Sequence, residues 1–261
     1  MNEELDVKGN VLRLEQREQQ KFSSDRLART PNHQNFDLDF STTAQVLRKT
    51  LYTYDETFFR LTQFEYDAAG RLTRTEDFDG TGAKIGSSEF AYSEGGCAWI
   101  DRDATGITMR RGLEEYDGER LIRISSFDSD DKPRTNKIFE YSDNRLARAD
   151  SQYYLADGAL GERWLTEYDS DGRIARTYGL KADGSPLGDG KYSFEYDGRG
   201  RRAKVWTYNE FDGSNTASSV TIYEYVDDEL GNWIEQRKRH LWRNDSYESK
   251  NITTRKLTYH A

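Results

Sequence analysis

The chain has 261 residues, a net charge of -9 and a pI near 5.1, with 34% apolar and 13% aromatic residues. The acidic balance argues against duplex nucleic acid as a partner, because phosphate binding needs a basic footprint. No run approaches the ~20 apolar residues of a helical membrane span, so no membrane is expected either.

The N-terminus, Met1-Asn2-Glu3-Glu4-Leu5-Asp6-Val7, is acidic and has no apolar run, which reads as the absence of a secretory signal. With one cysteine, Cys97, no intrachain disulfide is possible, and a cytoplasmic location is expected. Residues 1–49 read as a divergent N-terminal repeat or cap. Phe22-Ser23-Ser24-Asp25-Arg26-Leu27-Ala28-Arg29 aligns without gaps on Tyr141 to Arg148, and Thr30 to Ser41 break the rhythm as a loop followed by an irregular strand.

Residues 50–225 carry a repeat. Phe64-Glu65-Tyr66-Asp67-Ala68-Ala69-Gly70-Arg71-Leu72 returns as Thr166-Glu167-Tyr168-Asp169-Ser170-Asp171-Gly172-Arg173-Ile174 and as Phe194-Glu195-Tyr196-Asp197-Gly198-Arg199-Gly200-Arg201. Shorter copies are centred on Tyr116 and Tyr141. A second turn cluster separates successive copies, at Asp79-Gly80, Asp130-Asp131-Lys132-Pro133, Asp157-Gly158, Asp183-Gly184 and Asp212-Gly213. Each unit of 25–29 residues therefore holds two strands and two turns, with no room for a crossover helix. The fold class expected is all-β: a single domain, an antiparallel meander of hairpins forming one long, strongly curved sheet, either barrel-like or spiral.

In Asp67 to Arg71, a type I turn followed by a left-handed Gly70 predicts a three-residue loop, with Asp67 facing Arg71 and Tyr66 facing Leu72. Two-residue loops in the shorter copies predict the same pairing, Tyr116 on Leu121 and Tyr141 on Leu146. Period two then puts the glutamates preceding the tyrosines, such as Glu65 and Glu140, on a solvated face. It puts Arg74, Arg123, Arg148 and Arg176 on the aromatic side. The stretch from Glu94 to Arg111 is irregular and reads as a hairpin with Phe90 and Tyr92 on one side and Trp99 on the other. Residues 226–261 read as a C-terminal cap in which Gly231-Asn232-Trp233 replaces the Gly-Arg-Leu turn exit, with Trp233 and Trp242 closing an exposed edge.

Repeated Tyr-Asp-x-x-Gly-Arg-Leu with a following Asp-Gly turn resembles the YD repeats of Rhs and teneurin-type proteins, over roughly Thr50 to Tyr259. The ending Asp228 to Trp233 is similar to the terminal unit of short bacterial proteins that carry such repeats without a toxin domain. In the Rhs family these repeats build a shell around a toxin. This chain is too short for such a shell, so the resemblance implies the hairpin sheet and no encapsulating role.

Catalytic signatures do not emerge. His33, His240 and His260 lack partners at metal-ligand spacing, no Gly-x-Ser-x-Gly elbow occurs, and the glycines sit at hairpin turns. Carboxylates that recur in seven equivalent settings do not make the two unequal environments of an acid–base pair. No cofactor, no metal and no enzymatic activity is expected. The expected function is a non-catalytic protein-binding module, a cytoplasmic immunity or antitoxin protein that blocks a basic protein toxin in an Rhs or type VI secretion context. The alternatives are a carbohydrate- or cell-surface-binding repeat protein and a structural or accessory part of a secretion system. The candidate partner-binding residues lie where the repeat is interrupted: Asp101, Asp103, Asp227, Asp228, Glu229 and Trp242.

Overall fold

A computed structural model describes residues 11–22, 36–41, 43, 45–53, 57–208, 216–242 and 248–259. The regular elements among them are all strands. The first nine are β1 (Val11–Phe22), β2 (Phe36–Phe40), β3 (Val46–Tyr52), β4 (Phe58–Tyr66), β5 (Leu72–Asp79), β6 (Lys84–Ser93), β7 (Gly96–Asp103), β8 (Thr108–Asp117) and β9 (Arg120–Asp128). The second nine are β10 (Pro133–Ser142), β11 (Arg145–Tyr154), β12 (Leu160–Tyr168), β13 (Ile174–Lys181), β14 (Pro186–Tyr196), β15 (Arg202–Tyr208), β16 (Ala217–Asp227), β17 (Trp233–Trp242) and β18 (Glu248–Tyr259).

Every strand pairs antiparallel with its neighbours in sequence, and β18 pairs with β1. The sheet is a closed barrel of 18 strands, not a spiral. An all-antiparallel meander closes on itself only with an even number of strands, and this one does. The segments expected to cap two free edges instead close each other. The early repeat expected at Ser23 to Arg29 and the turn at Asp212-Gly213 lie outside the described residues.

The barrel is wet on both faces. Its accessible surface is 15967 Å², against roughly 12,000 Å² for a compact protein of this mass. Fully buried apolar side chains among the described residues are few. Four of them, Leu14, Phe36, Leu38 and Phe40, form a cluster with Val46, Leu51 and Leu257. The cluster sits on the closing seam: Leu14 of β1 opposes both Leu257 of β18 and Leu38 of β2. Apolar burial is thus concentrated where the two ends of the chain must find each other.

The hairpin turns form as their residues dictate. Asp67 N–H donates to the Arg71 carbonyl, Gly70 N–H to the Asp67 carbonyl, and Gly70 has φ +80°. The same three-residue loop recurs at both rims, at Asp79 to Ala83, Asp103 to Ile107 and Asp169 to Arg173 among others. At Asp131 an aspartate takes the left-handed position that glycine holds elsewhere. Tyr66 pairs with Leu72, Tyr116 with Leu121 and Tyr141 with Leu146, as the turn chemistry predicts.

Just inside each of these pairs a β-bulge shifts the register, between Glu65 and Tyr66, Glu115 and Tyr116, and Glu140 and Tyr141. The bulge overturns one expectation. Glu65 opposes Arg74, Glu115 opposes Arg123, Glu140 opposes Arg148 and Glu167 opposes Arg176. These arginines therefore share a face with the glutamates rather than the tyrosines, because the extra residue breaks the alternation by one. The stretch from Glu94 to Arg111 is regular, and Phe90 lies directly opposite Trp99, so the two share a face.

Candidate functional site

The meander sorts its turns onto two rims. Turns that follow the repeat tyrosines lie on one, here the tyrosine rim, and the alternate turns lie on the distal rim. The two sheet surfaces are the tyrosine face, with Tyr66, Tyr141, Tyr196 and Tyr225, and the glutamate face, with Glu65, Glu140 and Glu195.

On the tyrosine face the hydroxyls reach sideways into the preceding hairpin. Tyr66 donates to the Val46 carbonyl at 2.9 Å, Tyr141 to Leu121 at 2.9 Å, Tyr196 to Ile174 at 2.8 Å and Tyr225 to Arg202 at 3.0 Å. Turn arginines complete the contact from that side. Arg71 lies 4.7 Å from the Tyr92 ring centre, Arg173 4.8 Å from Tyr196 and Arg201 4.3 Å from Tyr225. Each of these arginines also pairs with the aspartate of its own turn, Asp67, Asp169 or Asp197. The Asp-x-x-Gly-Arg sequence thus ties one hairpin to the next.

At the seam the pattern changes. Asn232, 2% exposed, stands where the other turns have arginine, and Trp233 follows it. Arg255 of β18 supplies the cation, 3.3 Å from the Trp233 ring centre, and its Nε donates to Gln16 of β1 at 3.0 Å. Trp233 meets Tyr225 edge-on at 6.1 Å. Strands from both ends of the chain are therefore joined through Gln16, Arg255, Trp233 and Tyr225.

The side chains best suited to chemistry lie in two places. Tyr92, Cys97, Glu114 and Tyr116 cluster on the tyrosine face, with Cys97 opposing both Tyr92 and Glu114. Burial, then the hydrogen bond to Glu114 at 2.8 Å, pushes Tyr116 up to about 12. Burial also pushes the Cys97 thiol up, away from the thiolate that a nucleophile needs. His240 is pushed down by burial, shares a hydrogen with Thr221 at 2.7 Å and packs on Trp242. His33 and His260 lie outside the described residues, among which no group of three or more His, Cys, Asp or Glu is placed to hold a metal ion.

The six residues singled out in the sequence fall into two groups on opposite rims. Towards the distal rim, Asp101 accepts Nε and Nη2 of Arg110 at 2.9 and 2.6 Å and the Ser88 hydroxyl at 2.7 Å. Asp103 caps its own turn, taking the Thr105 hydroxyl and the N–H groups of Thr105 and Ile107, which hold its carboxyl below the usual range. Trp242, 40% exposed, meets the His240 ring edge-on. On the tyrosine rim, Asp227 pairs with Arg199 and Arg201, each at 2.5 Å, and Asp228 accepts the N–H groups of Leu230 and Asn232. Glu229 is exposed at the turn tip. Asp101, Asp103, Asp227 and Asp228 are thus engaged within the fold.

Both faces carry charge at mid-height. Asp150 and Arg163 lie there on the glutamate face, and Lys137 on the tyrosine face.

No protein-family model matches the sequence, and no curated protein does. Among solved structures, the chain is similar to a porin-like protein from Bacteroides uniformis, at 10% identity and TM-score 0.49 over 95% of this chain and 96% of that one. It is similar to a porin-like protein from Bacteroides vulgatus, at 11% identity and TM-score 0.42 over 78% of this chain and 95% of that one. A third likeness is to a chain of a TcdB2-TccC3 structure, at 13% identity and TM-score 0.31, covering 83% of this chain and 14% of that one.

Proposed function

We propose that the chain is a non-catalytic protein-binding module of the YD-repeat type and, more narrowly, a cytoplasmic immunity protein that occupies and blocks a basic protein toxin. The supporting observation is where the charge lies. Across the walls, glutamates face arginines or lysines, as Glu167 faces Arg176 and Glu195 faces Lys204. The turn tips instead carry carboxylates in excess, with Asp79, Asp103, Asp130, Asp157 and Asp183 on the distal rim beside Lys132 and Lys181. A rigid barrel with acidic rims steers a cationic partner and disfavours an acidic one. The toxin link comes from the Rhs resemblance in the sequence.

The reading is tested by co-expressing the chain with the product of a neighbouring toxin-like gene. Restored survival together with a complex that survives gel filtration is expected. Absence of both rescue and complex would remove the reading.

A further inference from the structure

Near the distal rim the glutamate face carries large apolar side chains that stay partly exposed to solvent. Phe59 on β4 is 43% exposed, Ile85 on β6 41% and Met109 on β8 56%, and Ile107, at the exit of the β7–β8 turn, is 63% exposed. They are not scattered. On β5, between them, Phe78 opposes Leu61 of β4 and Lys84 of β6, the residue before Ile85. The Asp79 to Ala83 turn leans on the same place, since a Cβ on Gly80 would lie 2.8 Å from the Phe58 carbonyl oxygen. From β4 to β8 is four interstrand steps, about 19 Å at ~4.8 Å each.

The cations within this stripe are engaged. Arg102 donates to the Gly106 carbonyl at 3.2 Å and the Thr108 hydroxyl at 3.0 Å, and Lys84 pairs with Glu76 at 2.8 Å. Arg111 pairs with Asp131. The stripe is bordered by the turn carboxylates Asp79 and Asp103, which accept N–H and hydroxyl hydrogens and stay ionised.

We infer that this stripe docks a cationic amphipathic segment of another protein, with apolar anchors flanked by lysine or arginine. The inference rests on the protein-binding reading above and names its surface. Charge selects the occupant. A second copy would bring the same -9 chain and the same acidic turns against this edge, and anionic lipid is repelled in the same way. A stripe of ~19 Å matches about 13 residues of helix at ~1.5 Å each. A single segment on so short a stripe binds in the micromolar range rather than the nanomolar.

The test uses the full chain and a fluorescein-labelled 14-residue Leu/Lys amphipathic peptide, followed by anisotropy at two salt concentrations. A Leu/Glu peptide of the same pattern serves as control. Binding of the Leu/Lys peptide that weakens with salt, and falls at least tenfold in Met109→Lys and in the Ile85→Lys/Ile107→Lys pair, is the expected result. Both variants change exposed side chains, and unchanged melting temperatures verify that they fold. Equal binding by the variants, binding of the Leu/Glu peptide, or no binding by the wild type overturns the inference. So does a wild-type dimer in sedimentation velocity that Met109→Lys dissolves, since the occupant is then a second copy. Rescue and complex formation with the toxin that persist in Met109→Lys remove the stripe while leaving the proposed function standing. Loss of both in the wild type removes the function itself.

Discussion

The guanidinium of Arg201 lies 4.3 Å from the centre of the Tyr225 ring while it pairs with Asp197 in its own turn and Asp227 at the end of β16. Arg173 is connected in the same way, to the Tyr196 ring, Asp169 and Asp171. Arg201→Lys keeps the charge but loses the flat guanidinium that serves a ring and two carboxylates together. Partial exposure limits the loss to about 1 kcal/mol, read as a lower midpoint in urea unfolding. A midpoint equal to wild type would mean that the stacking contributes nothing.

Tyr196→Phe removes only the hydroxyl that donates to the Ile174 carbonyl. Loss of such a hydrogen bond costs about 0.5–1.5 kcal/mol. The ring stays for Arg173 to cover. The same change at Tyr66, Tyr141 and Tyr225 should cost similar amounts if the hydroxyls are equivalent ties between hairpins, and denaturant midpoints of the four variants measure this.

The repeat made the hairpins legible because turn chemistry is local. Gly70 and its equivalents fix loop length, and loop length fixes which residue faces Tyr66. Two features were not legible, for different reasons. The bulges that carry Arg74 and Arg176 to the glutamate face depend on how twist is relieved at a rim, and period-two counting has no signal for them. Closure depends on Leu14 meeting Leu257, a pairing that spans the whole chain and has no local sequence mark. Carboxylates that cap turns, such as Asp103 and Asp228, likewise look in sequence like carboxylates free to bind. The exposed stripe has no local sequence mark, because Phe59, Ile85 and Met109 are far apart in sequence and share a face only once five strands are paired.

Gly112 faces Trp99 across the β7–β8 pair. A Cβ there would lie 2.2 Å from Cζ2 of the indole and 2.6 Å from the Ser125 carbonyl oxygen. Gly112→Ala must move the ring or the strand, at a cost of about 1–3 kcal/mol. Gly198 has no atom within 4 Å of its Cβ position and no positive φ, so Gly198→Ala should be neutral or stabilise by about 0.4–1 kcal/mol. Thermal melts of the two variants should move in opposite directions or differ by several degrees.

Leu38, 2% exposed, packs at the seam between Leu14 and Phe36. Leu38→Ala should cost about 2–5 kcal/mol. Its effect should also be topological. If β1 releases β18, amide exchange will rise first along Gln16 to Phe22 and Ile252 to Thr258, while the hairpins from β4 to β13 stay protected. Uniform loss of protection around the ring would show that the barrel opens as one cooperative unit.

Alkaline pH offers a test of the tyrosine face as a whole. Burial, reinforced by Glu114, raises Tyr116 from 10.0 to about 12, and burial alone raises Tyr66. Burial is also the main cause of the upward shifts of Tyr92 and Tyr225. A phenol whose folded value lies above its unfolded one favours the neutral form in the fold. Its contribution is whole below pH 10 and is lost as pH climbs towards 12, because only the unfolded chain ionises freely in that interval. The melting temperature should therefore be insensitive to these groups up to about pH 10 and fall steeply above it. Tyr116→Phe should flatten that fall while lowering stability at neutral pH through loss of the bond to Glu114. Phenolate absorbance at 295 nm separates the two states, since the folded protein should ionise these four rings later than the urea-unfolded chain. Coincident titration curves would show that the rings are open to water, and with them the ties between hairpins.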